Sequence, residues 1–185
     1  MTRIIAGRFR GRRLMVPSGR DTRPTTDRMR ERLFAILEGG AFGGLAGARV
    51  ADLYAGTGAL GLEALSRGAA HVSFVEKAPA ALKALQANLD ALGVRRETRV
   101  HRLDASRTAP PDGPFDLILM DPPYHGGLAA PTLARLAAAE SLASGGLIAL
   151  ETGADEIPDT NPFHLRDRRR QGRQQILLLS LDSPE

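Results

Sequence analysis

From Arg49 onward the chain alternates short apolar runs with longer segments whose apolar residues recur every three or four positions. The runs at 49–54, 72–76, 99–103, 116–120, 146–151 and 175–181 are rich in Val, Ile and Leu and predict strands buried on both faces. A less apolar run at 163–167 predicts a seventh strand. Helical periodicity falls between them, near 60–67, 79–92 and 128–139. In the 79–92 segment Leu82, Leu85, Leu89 and Leu92 make one stripe, Pro79 sits in the first turn and Gly93 follows the end. Alternating strand and helix predicts an α/β fold with a mostly parallel sheet covered by helices on both faces. The short polar connection Arg166–Arg173 before the final run demands antiparallel pairing, so the last strand is expected to close a hairpin.

The first residues follow another pattern. In residues 3–17 apolar Ile4, Ile5, Phe9, Leu14 and Val16 are interleaved with Arg3, Arg8, Arg10, Arg12 and Arg13, which predicts two short strands around Gly7 to Gly11. Residues 18–26 are rich in turn formers, and Thr26 or Asp27 can cap a helix running to about Glu38. Met29, Leu33, Ile36 and Leu37 lie on one face of that helix, with Arg28, Arg30 and Arg32 pointing elsewhere. Gly39-Gly40 stops it, and a glycine-rich linker leads to Gly47. The chain is expected to divide into a basic hairpin-and-helix extension, 1–47, and an α/β domain, 48–185.

Composition narrows the function. There is no cysteine, which excludes disulfides, thiolate metal sites and thiol nucleophiles. His71, His101, His125 and His164 lack metal-ligand spacing, so no metal is expected. No apolar stretch approaches the roughly 20 residues of a membrane helix, and no apolar segment of a secretory leader follows Arg3. A cytoplasmic monomer is the expectation. Eleven arginines against four acids give residues 1–49 a charge of +7, while the remainder carries −3. A basic arm on a slightly acidic body fits a polyanion partner.

The candidate chemistry sits at the ends of the predicted strands. The first ends in Asp52-Leu-Tyr54 and leads into Ala-Gly56-Thr-Gly58-Ala-Leu-Gly61, a glycine loop that lets backbone approach a ligand. Such a loop alone fits a dinucleotide equally well, but a carboxylate beside it repels pyrophosphate and suits a cationic ligand. Glu76 ends the second strand, near where a ribose-binding carboxylate is expected, and Asp104 ends the third. The fourth ends in Asp121-Pro122-Pro123-Tyr124. The prolines make this a stiff extended arm carrying a carboxylate, backbone carbonyls and an aromatic ring, a set that suits a flat ring bearing an amine.

These motifs together resemble the class I S-adenosylmethionine-dependent methyltransferases, more narrowly the branch that methylates exocyclic or amide nitrogens. Arg3-Ile-Ile-Ala-Gly, Gly11-Arg-Arg-Leu, Arg23-Pro-Thr-Thr-Asp-Arg-Met-Arg-Glu31 and Gly58-Ala-Leu-Gly-Leu-Glu-Ala-Leu-Ser-Arg67 narrow it further. They are similar to those of the bacterial 16S ribosomal RNA guanine-N2 methyltransferases that act on guanine 966 of the small subunit. The resemblance covers nearly the whole chain and weakens after residue 152, since Ile176–Leu181 lacks the aromatic that the family tends to carry in its last strand.

The resemblance implies a Rossmann-like seven-stranded fold and S-adenosylmethionine held by Asp52, Tyr54, Gly56, Gly58, Glu76, Lys77, Asp104, Ala105 and Asp121. Asp121, Pro122 and Tyr124 become the catalytic set. It further implies 16S rRNA in an assembling 30S particle as partner, met by Arg3, Arg8, Arg10, Arg12, Arg13, Arg23, Thr25, Arg28 and Arg30. Arg166 to Arg173 form either a second basic patch or a solvated turn. At this level a DNA adenine N6, protein glutamine or other rRNA guanine methyltransferase stays open. So do a dinucleotide-dependent hydride-transfer enzyme and a non-catalytic RNA-binding assembly factor on the same fold.

Overall fold

The computed structural model describes residues 2–17, 27–123 and 126–182. In these, β1 (Arg49–Leu53), β2 (His71–Val75), β3 (Thr98–His101), β4 (Phe115–Met120), β5 (Leu142–Gly153), β6 (His164–Gln171) and β7 (Gln174–Ser180) form one sheet. Its order is β3-β2-β1-β4-β5-β7-β6. The first five strands run parallel, and β7 is antiparallel to both its neighbours. The α/β sheet with an antiparallel last strand and closing hairpin is as expected. Strand order runs outward in opposite directions from β1 and β4, which makes the crevice at their carboxyl ends the topological switch point where such sheets bind ligands.

Both faces are apolar. Val50, Leu117, Leu119, Ile176 and Leu178 pack on α1 (Asp27–Ile36), α2 (Ala59–Ser66) and α3 (Pro79–Leu92), together with Ile4 and Leu14 of the N-terminal arm. Their alternates Ala51, Leu53, Ile118, Met120, Leu177 and Leu179 pack on α4 (Ala129–Ala138). This is the two-residue period of a strand buried on both sides. α2 is buried from Leu60 through Ser66. It is sandwiched between the sheet and the arm, which is why it lacks a polar face.

Three elements differ from the expectation. The arm is a looped turn with the single antiparallel bridge Arg3–Arg13 and a 3-10 turn at Gly7–Phe9, not a pair of strands. Its chain ends still pair: Ile4 N–H donates to Arg12 O at 3.0 Å and Leu14 N–H to Thr2 O at 2.9 Å. β6 extends to Gln171, so Arg166 and Arg168–Arg170 lie in an edge strand and only the residues about Gly172 turn. Charges on an edge strand also oppose edge-to-edge pairing. The third is Arg30. It is fully buried on the face shared with Leu33, Phe34 and Leu37, where it donates to Arg3 O at 2.8 Å and Asp27 Oδ1 at 2.6 Å. Arg30 is therefore a strut between α1 and the arm, not an RNA contact. Among the described residues no helix is long and apolar enough to cross a membrane.

Candidate active site

Strand register fixes the site. Leu53 is paired with both Val75 and Met120, and Val75 with His101, so Tyr54, Glu76, Arg102 and Asp121 emerge at one level on the carboxyl edge. A cavity of about 930 Å³ opens there, lined by Asp52, Tyr54, Gly56, Glu76, Lys77, Ala105, Asp121 and Pro122, with Val75, Leu103 and Pro123. The arm residues Thr2, Val16 and Pro17 complete the wall. A second cavity of about 530 Å³, bounded by Arg49, His71, Thr98 and Asp112, lies at the starts of β1, β2 and β3 and holds none of the expected site residues.

The glycine loop is built by carboxylates. Gly56, at φ +56°, donates its N–H to Glu76 Oε2 at 2.8 Å. Glu76 Oε1 accepts the N–H groups of Lys77 and Ala78 at 2.8 and 2.7 Å, which orients the carboxylate at the cavity wall. Gly58 and Gly61 do other work. Gly58 is left-handed at φ +82°, and a Cβ on it would lie 2.5 Å from Leu85; one on Gly61 would overlap the Phe74 ring. Both let α2 and α3 close on the sheet, and neither lines the cavity, in contrast to the ligand contact expected of Gly58.

Asp52 is 1% exposed and accepts the Gly61 N–H on Oδ2 at 2.8 Å. Burial pushes its carboxyl well above the ordinary range, opposed by the Gly61 bond and reinforced by the charges of Asp121 and Glu76. Its neutral form therefore contributes stability that is complete below the usual carboxylate range and is lost as pH rises through the folded value. Asp52→Asn keeps an acceptor for Gly61 but cannot ionise. Compared with the parent without ligand, this variant is expected to gain thermal stability between pH about 5 and pH about 8. An equal Tm difference at both pH values would contradict the buried-charge account.

Asp104 is held below the usual range, at about 2, by the hydrogen bond from Ser106 and then that from Lys77. Ser106 Oγ donates to its Oδ1 at 2.6 Å and Lys77 Nζ to Oδ2 at 3.0 Å. Its carboxylate is used within the chain, and its neighbours Leu103 and Ala105, not Asp104 itself, line the cavity. Tyr54 takes a left-handed φ of +62°. Thr132 Oγ1 donates to Leu128 O at 2.7 Å, so the Tyr54 hydroxyl donates to Thr132 at 2.5 Å and joins β1 to α4. Asp121 is half-buried and Pro122 buried, side by side on the cavity wall. Tyr124, Arg23 and Thr25 lie outside the described residues.

The expected RNA contacts are distributed unevenly. Arg10, Arg13 and Arg28 are exposed. Arg3 pairs with Asp27 at 3.6 Å, Arg8 pairs with Glu97, and Arg12 donates to Ala91 O at 3.0 Å. Three polar residues with structural roles were not expected: Glu63, Ser66 and Asn88, each buried and each hydrogen-bonded to the backbone of the arm. In sequence they are single polar positions inside apolar helical stripes.

The cavity joins carboxylates, which suit an ammonium, a sulfonium and a ribose diol, to apolar lining from Val75, Leu103 and Ala105, which suits a flat ring. On a sheet of this order, such a site defines a class I S-adenosylmethionine-dependent methyltransferase. Residues 2–180 match the family described as Conserved hypothetical protein 95. Over 160 residues the chain is 38% identical to ribosomal RNA small subunit methyltransferase D of Escherichia coli strain K12, covering 86% of this chain and 79% of that one. The chain belongs to this methyltransferase D family. The solved structure of yhhF from Escherichia coli superposes with a TM-score of 0.80 at 36% identity, covering 96% of each chain. The 16S rRNA N2 G1207 methyltransferase of T. thermophilus, solved with AdoMet and guanosine, gives 0.61 at 26% identity over 80% of this chain and 41% of that one.

Proposed function

We propose that this protein methylates the exocyclic N2 amine of guanine 966 in 16S rRNA, acting as a cytoplasmic monomer on the assembling small subunit. The observation that carries this is the position of Asp121 and Pro122 on the wall of the cofactor cavity, beside the switch point between β1 and β4. Residues 48–185 hold the chemistry, and residues 1–47 are the RNA-contacting extension.

Glu76 would hold the ribose hydroxyls and Val75, Leu103 and Ala105 the adenine; Asp52, raised by burial in the free protein, would hold the ammonium end in the ionised form that a neighbouring cation favours. Asp104 and Lys77 would act by fixing the turn that presents Leu103 and Ala105. When bound, S-adenosylmethionine supplies an electrophilic methyl group on a sulfonium. The chain supplies orientation and charge. A guanine N2 amine is a poor nucleophile because its lone pair is delocalised into the ring. Accepting its two N–H groups at the Asp121 carboxylate and the Pro122 carbonyl draws the lone pair out of the ring and aims it. The same acceptors stabilise the positive charge that grows on nitrogen. The resulting ammonium is acidic and loses its proton to Asp121 or water. Tyr124, which follows Pro123, would stack on a base that has been turned out of its helix.

Mass-spectrometric mapping of rRNA tests this reading. Cells lacking the gene are expected to lack one N2-methylguanosine in 16S rRNA, and their small subunits should regain it on incubation with the protein and S-adenosylmethionine. Methyl transfer to adenine N6 or another guanine would shift the substrate; cofactor binding without transfer would favour the assembly-factor reading.

The exposed arm arginines would supply phosphate contacts. Arg10→Gln with Arg13→Gln is expected to weaken RNA binding and flatten its log–log salt dependence by about 1.5, the loss of two contacts. An unchanged slope would remove this part of the arm from the interface.

A further inference from the structure

The N-terminal arm has a second attachment, and it leads to the cofactor cavity. Asn88 lies on α3 between Leu85 and Leu89 and is 1% exposed. Packing alone would place an apolar side chain there. Its Oδ1 accepts the Met15 N–H at 2.7 Å, and its Nδ2 donates to Met15 O at 3.1 Å and to Thr57 O at 3.0 Å. One side-chain amide therefore engages both backbone groups of Met15 and the carbonyl of the residue between Gly56 and Gly58. Only an amide offers two donors and an acceptor in this arrangement. The residues after Met15, Val16 and Pro17, line the cavity together with Thr2 and Thr57. Val16 is 46% exposed, so its apolar side chain stands at the rim where a ligand would cover it.

We infer that the arm is a wall of the cofactor site and that Asn88 is the positioning residue coupling it to the glycine loop, so that cofactor binding and docking of the arm reinforce each other. The inference rests on the reading of the cavity as the S-adenosylmethionine site. A ligand touching Val16 and Pro17 holds the arm down. By linkage, whatever holds the arm down, RNA phosphates included, raises cofactor affinity by the same factor. The arm thereby reports RNA engagement to the cofactor loop.

Amide hydrogen exchange on the full chain, with and without saturating S-adenosylhomocysteine, tests this without any turnover. The amides of Ile4, Leu14 and Met15, all hydrogen-bonded within the arm or to Asn88, are expected to exchange several-fold more slowly with ligand bound. In Asn88→Ala the same amides should exchange faster and no longer respond to ligand, while ligand affinity measured by calorimetry falls by about 10-fold. Should that variant fail to fold, Val16→Gly removes the rim contact without disturbing α3 and is expected to weaken both ligand binding and arm protection. Ligand binding by the parent with unchanged arm exchange overturns the coupling alone. Absence of any S-adenosylhomocysteine binding overturns the cofactor reading and the coupling together.

Discussion

Asp121→Ala is expected to slow methyl transfer by about 10²–10³-fold while changing S-adenosylmethionine affinity by less than about 10-fold. The separation follows from where the charge sits. Asp121 shares the cavity wall with Asp52 and Glu76, and its negative charge is one of those that push the Asp52 carboxyl up. Removing it relieves that repulsion and leaves the Glu76 cradle, built from the Gly56, Lys77 and Ala78 amides, untouched. On the proposed mechanism, what is lost is an acceptor for a nitrogen whose charge exists only during transfer, so the loss falls on kcat and not on cofactor binding. Asp121→Asn keeps one acceptor oxygen but presents an NH2 group to the substrate amine, and should fall between the two. Single-turnover rates with saturating cofactor, read beside calorimetric affinities, decide it. Parent-like rates in Asp121→Ala would exclude this residue from the chemistry.

Much of this site was legible because strand ends are legible. Glu76 and Asp121 each follow an apolar run and Asp52 sits one residue before the end of another, and a parallel sheet brings such ends to one edge whatever the details of packing. Asp104 closes a run too, yet the identity of its neighbours, Ser106 and Lys77, diverts its carboxylate from the cavity. Gly58 illustrates a similar limit: a glycine beside a ligand and a glycine beside a leucine look alike until Leu85 is placed. The buried face of α1 is turned toward Arg30 and Phe34 from the one its apolar spacing predicts. Phe34 at the i+4 position from Arg30 was the available signal that the buried stripe includes residues 30, 33, 34 and 37, which takes Arg30 inward. Asn88 and Glu63 were not legible at all, because what makes them polar is backbone from 73 and 58 residues away. Local periodicity carries no information about partners at that distance.

Glu63 carries the second large expected effect. It is fully buried in α2, on the side facing the arm, and its two oxygens accept three hydrogen bonds: the Ile5 N–H at 2.7 Å, the Ala6 N–H at 3.0 Å and Arg67 Nε at 2.7 Å. Next to it Ser66 Oγ accepts the Phe9 N–H at 3.0 Å and donates to Ala6 O at 2.5 Å, and Gly7 packs so closely on the Ser66 carbonyl that no Cβ would fit. The arm is thus fastened to α2 by a carboxylate and a hydroxyl in place of a strand partner. Glu63→Ala would strand two arm amides and the Arg67 guanidinium, itself linked to Glu38 at 2.7 Å and set 5.0 Å above the Phe34 ring. Breaking a buried ion pair from one side costs about 3–5 kcal/mol, or roughly 10 °C in Tm for a chain of this size. The exposed Arg8–Glu97 pair is the contrast: Glu97→Ala is expected to cost about 1 kcal/mol or less. Thermal unfolding separates the two variants. Trypsin locates the damage, since the arginines of residues 3–13 should become cleavable in Glu63→Ala well below its Tm and stay protected in Glu97→Ala. Equal Tm values and equal arm cleavage in the two variants would show that Glu63 is not what holds the arm against α2.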